Sequence, residues 1–507
     1  MDASQPVGKM ISAASPWGRF SVLLFSSVWL FLPYLNVVGS GDHASRIAIF
    51  LLFVIAFIFA GFISRWLYVC AWLGVLLVNA VYVHIRFHWG LELAESRFEA
   101  ALSSSLSETS EYVRIYIGRP EALFLLYAGA GIYLLYRILK TPPPTSKMRI
   151  VSAGCLILTW LGIFSLRQEV SQFPPASLVS DMFAAKTNLE RISQRAGMIR
   201  DEIPRPRHCS EDYSKIVVVI GESALRDRMS LYGYTEKTTP FLDSLQPLHF
   251  EAIAPSNQTR HAIPLLLTHA SVRDFDAFFH SPSLISELKA CGYETWWMSN
   301  QGGPGLNEAY VAAVAAEADH EFFLRSFDYT HSGYDGELLD TLGKAIVSVR
   351  KQAFFIHLRG SHIDYAERYP AGFGLKPGVD IESRYDNSIY YTDSVLSGIF
   401  SKFNPEELLF AYVSDHGEVV SNTKYGHGFY PGLQEEYRVP LVLWARKTDR
   451  MDSLMSIVDA GKINTESFDR MMEYLTGLEN VPGVSRSIKV MDVSPENVVD
   501  YDSLARI

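Results

Sequence analysis

The sequence predicts an α-helical membrane anchor followed by an α/β outer domain built on a doubly wound, mainly parallel sheet. Five apolar stretches crowd the first 167 residues, and strand-like and helix-like segments alternate after residue 208. Acids, histidines and hydroxyls recur just past the strand-like segments. At 507 residues the chain exceeds one ordinary domain, and 48% hydrophobic content is high for a purely soluble protein.

The apolar stretches cover roughly 17–38, 47–66, 68–85, 122–139 and 150–166. Each approaches the ~20 residues that cross a ~30 Å hydrocarbon layer, so five transmembrane helices are expected. The loop between the last two carries Arg137, Lys140, Lys147 and Arg149 without an acid, whereas the preceding loop carries Glu92, Glu95, Glu99, Glu108, Glu111 and Glu121. The positive-inside rule then puts the amino terminus in the cytoplasm and everything after Arg167 outside. The first stretch has too long an apolar core for a cleaved signal peptide and reads as a retained anchor. Leu91, Ala94, Phe98, Leu102 and Leu106 recur at helical spacing among glutamates and serines, an amphipathic helix suited to the outer membrane surface or to packing on the outer domain.

The expected organisation is a transmembrane domain over 1–167, a linker over 168–208 punctuated by Pro174, Pro175, Pro204 and Pro206, and an outer domain over 209–507. Strands are expected near 215–220, 249–254, 294–298, 353–357, 408–413 and 440–444, with helices near 283–291, 336–350 and 388–403 between them. Unbroken apolar runs such as Leu-Leu-Phe-Ala-Tyr-Val at 408–413 fit strands covered on both faces. In such sheets, sites form where strands end and loops begin.

Gly221-Glu222-Ser223 comes after the first strand, Ser256-Asn257-Gln258-Thr259 after the second, Gly360-Ser361-His362 after the strand at 353–357, and Asp415-His416-Gly417-Glu418 after the strand at 408–413. Glu222, Asp415 and His416 supply two carboxylates and an imidazole, a set that suits zinc with one position open. Taken singly, an acid after a strand is more often a helix cap or a solvated side chain than a metal ligand, and it is the coincidence of several that points to a metal. Thr259 stands at a loop-to-helix junction, where it either caps the helix or offers its hydroxyl to an incoming phosphoryl group. A net charge of −10 gives no sign of nucleic-acid binding.

The segment VVVIGESALRDRMSLYGYTEKTTP (217–240) resembles the opening strand and loop of the membrane phosphoethanolamine transferases of the alkaline phosphatase/sulfatase superfamily. APSNQTRHAIPLLLT (254–268), IHLRGSHIDYAERYP (356–370), YDNSIYYTD (385–393), SDHGE (414–418), YGHG (425–428) and VPLVLW (439–444) continue the match in order. The resemblance implies zinc held by Glu222, Thr259, Asp415 and His416, with a second zinc conceivable, and Thr259 as the nucleophile that carries phosphoethanolamine. It also implies substrate contacts from His362, His427 and Glu418, with Asn300 a looser match, and acid–base work by His362 and His427. Phosphatidylethanolamine is the implied donor and lipopolysaccharide or another envelope glycan the acceptor. The implied setting is the bacterial inner membrane, multi-pass, with a periplasmic catalytic domain and a monomeric chain.

Where lipid A-modifying members carry cysteines around the nucleophile loop, this chain has Ser256-Asn257-Gln258, which moves the expectation toward the core-oligosaccharide or envelope-glycan type. Only Cys209 and Cys291 lie in the outer domain. An oxidising compartment permits one bridge between them, and two free buried thiols are the alternative. Three rival readings are a glycerophosphate transferase, a phospho- or sulfo-hydrolase of the superfamily, and a non-catalytic membrane-anchored binding protein. Thr259-Arg260-His261-Ala262-Ile263-Pro264 lacks the Cys/Ser-x-Pro-x-Arg pattern of sulfatases, and all four implied ligands are present.

Overall fold

A computed structural model describes residues 16–34, 43–88, 117–166, 182–184, 186–192, 194–195, 199, 209–302, 309–325, 333–446, 449–458, 462–480 and 484–507. The chain divides into two compact units, the first reaching Ala185 and the second running from Lys186 to Ile507. The amphipathic stretch at 91–106 and most of 168–208 lie outside the described residues.

Among the described residues the first unit holds five apolar helices: α1 (Pro16–Phe31), α2 (His43–Ile63), α3 (Arg65–His88), α4 (Arg119–Leu139) and α5 (Ser146–Ser165). Leu125, Leu126, Ile150, Leu158 and Phe164 point outward and are exposed. An apolar exterior on α4 and α5 is what lipid, not water, would cover. The expectation of five spans is corrected to three among the described residues: Arg65–His84, Arg119–Leu139 and Ser146–Ser165 are long and apolar enough to cross a membrane, while Gly18–Tyr34 and Ile47–Ile63 are shorter apolar helices. At 1.5 Å per residue the apolar parts Gly18–Tyr34 and Ile47–Ile63 cover only about 25 Å, below the ~30 Å of hydrocarbon, although α2 itself begins earlier, at His43. Pro33 explains the first case, because it cannot donate a helical hydrogen bond and α1 gives way to a 3-10 turn at Leu32–Tyr34.

Arg19 is buried in α1, and its guanidinium donates to Thr141 Oγ1 at 3.0 Å, to the Pro142 carbonyl at 2.5 Å and to the Gly61 carbonyl at 2.7 Å. A cation in apolar surroundings requires such partners. It ties α1 to the end of α2 and to the α4–α5 loop.

The second unit is built on strands β1 (Lys215–Gly221), β2 (Leu248–Ile253), β3 (Glu294–Gly302), β4 (His320–Arg325), β5 (Gln352–His357) and β6 (Leu408–Ser414), a ribbon of β7 (Val419–Val420) and β8 (Tyr425–Gly426), then β9 (Arg438–Ala445), β10 (Ile463–Asn464), and a second ribbon of β11 (Lys489–Met491) and β12 (Val498–Asp500). The main sheet has eight strands in the order β10-β2-β9-β6-β1-β5-β3-β4. Every pairing is parallel except those of β9 with β2 and β6. The six expected strands are all present. β4 and β10 were not expected: β4 is an edge strand with charged ends, and β10 has only two residues.

Both faces of the sheet are covered, which explains the unbroken apolar runs. Ile216, Val218 and Ile220 of β1 join one core with Ile263 and Leu266 of α6 (Thr259–Leu267) and Leu288 of α7 (Leu284–Ala290). Val217 and Val219 join the opposite core with Leu342 of α8 (Leu338–Ala345) and Leu396 of α9 (Ile381–Phe400). Central strand β1 lies between parallel β5 and β6, with Gly221 opposite Ser414 and Ile220 opposite His357. One residue beyond that rung, Glu222 and Asp415 emerge side by side. Cys209 and Cys291 form a disulfide, with Cα atoms 5.6 Å apart.

Candidate active site

The turn after β1 is held in an unusual conformation. Ser223 takes a φ of 58°, rare for a residue with a side chain. Tyr385 from α9 clamps it, donating to the Ser223 carbonyl at 2.7 Å and accepting from the Leu225 N–H at 2.7 Å, while Ala224 N–H donates to Ser414 Oγ at 2.9 Å. Glu222 thereby faces the end of β6. From β5, Gly360 at φ 53° passes so close that a Cβ there would lie 2.6 Å from the Glu222 carbonyl oxygen, and Ser361 N–H donates to that same oxygen at 2.9 Å.

Thr259 is the first residue of α6, with Gln258 as its cap. Its hydroxyl donates to Glu222 Oε2 at 2.9 Å and lies 3.2 Å from His416 Nε2. His416 Nε2 is also 3.1 Å from Glu222 Oε1 and 3.5 Å from Asp415 Oδ2. Asp415 Oδ1 accepts the backbone N–H of His416 at 2.7 Å and of Ser223 at 3.3 Å. His416 Nδ1 lies 2.9 Å from the Gly417 carbonyl, a contact that orients the ring. The four residues expected to hold a metal are thus brought together, and Glu222, Asp415 and His416 are fully buried.

His427, after β8, comes within reach of the same point. One donor atom each from Glu222, His416 and His427 lies within 4.8 Å of the others. The rings of His416 and His427 are 4.2 Å apart and those of His362 and His427 5.6 Å apart. Glu418 stands behind His427, with Oε2 2.7 Å from Nδ1, and its other oxygen accepts from Tyr365 at 2.5 Å. Asn300 is not brought into the cluster. It is buried and donates to Asp335 Oδ1 at 2.8 Å, and Asp335 in turn accepts the N–H groups of Arg359 and Gly360, so Asn300 braces the loop that carries His362. Its neighbour Gln301 reaches Glu222 Oε2 at 3.4 Å instead.

Four residues of the site lay outside the sequence-based set: Ser223, Gln301, Tyr365 and Tyr385. Ser223 was inside the Gly-Glu-Ser motif and one step along the strand separates Gln301 from Asn300, so nearness to a named residue was the available signal.

The charges are frustrated without a cation. Burial and the Glu222 charge push Asp415 up to about 8. Burial opposes protonation of His416, but Asp415 and Glu222 override it and raise the imidazole to about 10. Burial works against ionisation of Glu222 too, yet His416 holds it well below the usual carboxylate range. Burial and the neighbouring His416 push His427 down.

Residues 214–463 match the family described as Sulfatase. The chain is 33% identical over 371 residues to the Escherichia coli (strain K12) protein named "Putative transferase YhbX", spanning 68% of this chain and 67% of that one. It is 25% identical over 473 residues to phosphoethanolamine transferase EptC of the same strain, spanning 83% of this chain and 77% of that one. The chain belongs to the membrane phosphoethanolamine transferases. It is an enzyme of the alkaline phosphatase/sulfatase superfamily.

Among solved transferase structures, the integral membrane protein lipooligosaccharide phosphoethanolamine transferase A (EptA) from Neisseria meningitidis superposes with a TM-score of 0.61 at 19% identity, covering 90% of this chain and 95% of that one. The periplasmic domain of Escherichia coli EptC, solved as a zinc complex, superposes with a TM-score of 0.52 at 24% identity, covering 60% and 97%. At these identities both neighbours speak for the fold.

The residues of this transferase fit zinc on their own chemistry. Asp415 Oδ2 is buried with no hydrogen-bond partner, an acceptor left over at the centre of a cluster of two carboxylates and an imidazole. A buried, unmatched carboxylate oxygen costs about 1–3 kcal/mol or more, and a divalent cation removes that cost while restoring charge balance.

Proposed function

We propose that this enzyme moves phosphoethanolamine from phosphatidylethanolamine to an envelope glycan, by way of a covalent adduct on Thr259. The observation that carries the reading is the seat of the Thr259 hydroxyl, between Glu222 Oε2 at 2.9 Å and His416 Nε2 at 3.2 Å, at the start of α6. Glu222, Thr259, Asp415 and His416 would hold zinc, with a second ion a further proposal around His362, His427 and Glu418. Bound zinc lowers the pKa of a coordinated hydroxyl and polarises a phosphoryl oxygen. Glu222 accepts the hydroxyl proton's hydrogen bond and orients Oγ1, and the N–H groups at the start of α6 favour the incoming phosphoryl oxygens. Oγ1 attacks phosphorus, diacylglycerol leaves, and phosphoethanolamine stays on Thr259. A glycan oxygen then attacks in a mirrored step, with His362 and His427 exchanging protons with leaving and entering oxygens.

The placement we propose is the bacterial inner membrane, with the second unit in the periplasm. The basic loop at 137–149, the apolar exterior of α4 and α5, and the Cys209–Cys291 disulfide support it. A tethered catalytic domain meets a phospholipid donor at the only place where it is concentrated. The short Ser256-Asn257-Gln258 loop supports a core-oligosaccharide or related glycan as acceptor, and the chain is taken to act as a monomer.

Incubating the full-length protein with labelled phosphatidylethanolamine and mapping the label by mass spectrometry tests the reading. A phosphoethanolamine adduct on the Thr259 peptide is expected. A glycerophosphate adduct, or one on another residue, overturns it.

A further inference from the structure

We propose that the turn after β11, Met491-Asp492-Val493, is a clip that fixes the loop before Thr259 against the loop after His427, and that Asn257 is the positioning residue through which it acts. This deepens the function proposed above and rests on it for the roles of Thr259 and His427.

The two loops come from distant parts of the sheet: residues 255–258 lead from β2 into α6, and residues 427–433 lead from β8 toward β9. Neither contains a cysteine, so no disulfide joins them. The turn after β11 touches both. Met491 N–H donates to the Pro255 carbonyl at 2.7 Å, and Met491 pairs with Ser256 in an isolated parallel bridge. Asp492 accepts the Gly432 N–H, at 3.0 Å on Oδ1 and 3.2 Å on Oδ2, and its Oδ1 also accepts from the Tyr437 hydroxyl at 3.4 Å. Val493 N–H donates to Asn257 Oδ1 at 3.0 Å.

Asn257 turns the other end of its amide to the second loop. Its Nδ2 donates to Glu436 Oε1 at 3.1 Å and to the Phe429 carbonyl at 3.4 Å, and the same Glu436 oxygen accepts the Phe429 N–H at 2.9 Å. Val493 N–H can only donate and the Phe429 carbonyl can only accept, so the amide has one orientation whatever the charge on Glu436. Asn257, Glu436, Asp492 and Val493 are all buried, where water does not compete for these bonds.

The backbone of the clip is strained. Val493 takes a φ of 70°, and a β-branched residue in the left-handed region is an outlier. Such a conformation persists only where its surroundings over-determine it, and it collects at functional sites. Asp492 N–H donates to the Asn497 carbonyl at 2.8 Å, and Asn497 Nδ2 donates back to the Asp492 carbonyl at 3.2 Å, which closes the turn. The Val493 side chain stays buried while its N–H faces Asn257. Thr259 follows Asn257 by two residues and His427 precedes Phe429 by two. One amide therefore sets how the nucleophile stands to the imidazole that serves both transfer steps.

The test uses the full-length, metal-loaded protein in detergent micelles, read by steady-state kinetics and by hydrogen exchange with mass spectrometry. Asn257→Ala should lower kcat by about tenfold to a hundredfold, because a displacement near 1 Å at a catalytic cluster costs about 100-fold, with KM for phosphatidylethanolamine and zinc content unchanged. Exchange should quicken in peptides covering 427–437 and 489–497 and stay at the wild-type rate in α9. Gly432→Ala probes the clip from its other side, since a Cβ there would lie 2.9 Å from both Asp492 Oδ1 and the Tyr437 hydroxyl. It should also lower kcat and quicken exchange in peptides covering 254–261, and it keeps the test alive if the first variant fails to fold. Wild-type turnover in either variant, or faster exchange confined to the substituted loop, overturns the proposal. If exchange spreads as stated but Thr259 takes no adduct, the proposed function fails while the clip stands. If Thr259 takes the adduct and Asn257→Ala turns over at the wild-type rate, the clip fails while the proposed function stands.

Discussion

Asp415 Oδ2 lies 3.5 Å from His416 Nε2 and has no hydrogen-bond partner, although both side chains are fully buried. Metal-free, the pair holds protons at neutral pH, because Asp415 is raised to about 8 and His416 to about 10. A metal needs the ionised carboxylate and the neutral imidazole. Zinc binding at pH 7 should therefore release protons, and affinity should rise with pH until it passes the raised values. Titration calorimetry in buffers of different ionisation enthalpy measures the number released. Uptake with no proton release would refute the assignment of these two residues as ligands. Chelation should abolish transfer, and added zinc should restore it.

Gly360 and Glu222 are in backbone contact, and this sets a second expectation. A Cβ at residue 360 would lie 2.6 Å from the Glu222 carbonyl oxygen, at a backbone φ of 53° that side chains disfavour. Gly360→Ala should push the two loops apart, and a displacement near 1 Å at a catalytic cluster costs about 100-fold in rate. Steady-state kinetics should show the loss in kcat. Retention of the wild-type rate would mean that the loop bearing His362 is free to move without consequence.

The edge of the sheet was legible in the sequence for a physical reason. Parallel strands buried on both faces announce themselves as apolar runs, and the residues just past their carboxyl ends share one edge, so Glu222, Asp415 and His416 could be placed together before any coordinates. Thr259 was ambiguous, since helix capping and nucleophilic attack want the same residue at the same junction. Asn300 shows the limit: neighbouring strand residues point to opposite faces, and the side chain that reaches Glu222 belongs to Gln301. The direction of β9 left no trace in its composition, because its apolar core fits either orientation. Tyr365 opens a three-residue 3-10 turn, Tyr365–Glu367, too short to show a periodicity, and its bond to Glu418 is visible only in the structure. In the membrane unit, apolar length overstated helix length where Pro33 intervenes.

The disulfide gives a third prediction. Cys209 and Cys291 are 82 residues apart and join the segment just before β1 to the end of α7. Closing so long a loop restricts the unfolded chain, and removing such a bridge typically costs about 2–5 kcal/mol. Cys291→Ser, or reduction of the wild type, should lower the unfolding free energy by that amount, with the zinc site intact while the domain is folded. Thiol titration under denaturing conditions should find only Cys70 and Cys155 reactive before reduction. An equal denaturation midpoint with and without reductant would remove the bridge from any role in stability.

Arg195 and Glu317 pose the hardest case for the stability of the second unit. Their ion pair is almost wholly buried, with side-chain exposures of 0% and 5%. The guanidinium also donates to the Phe278 carbonyl at 2.7 Å and the Ser281 carbonyl at 2.8 Å, while Glu317 Oε2 accepts from Ser283 N–H, Ser283 Oγ and Ser286 Oγ. Desolvating both charges is expensive, so the pair itself adds little net stability, but removing one partner strands the other. Arg195→Met should cost about 3–5 kcal/mol, whereas adding Glu317→Gln to it should recover part of the loss, since the amide keeps the serine contacts without a buried charge. Urea melts of the two variants measure both values. A double variant less stable than the single one would show that the Glu317 charge is not left stranded when Arg195 is removed, which overturns the expectation.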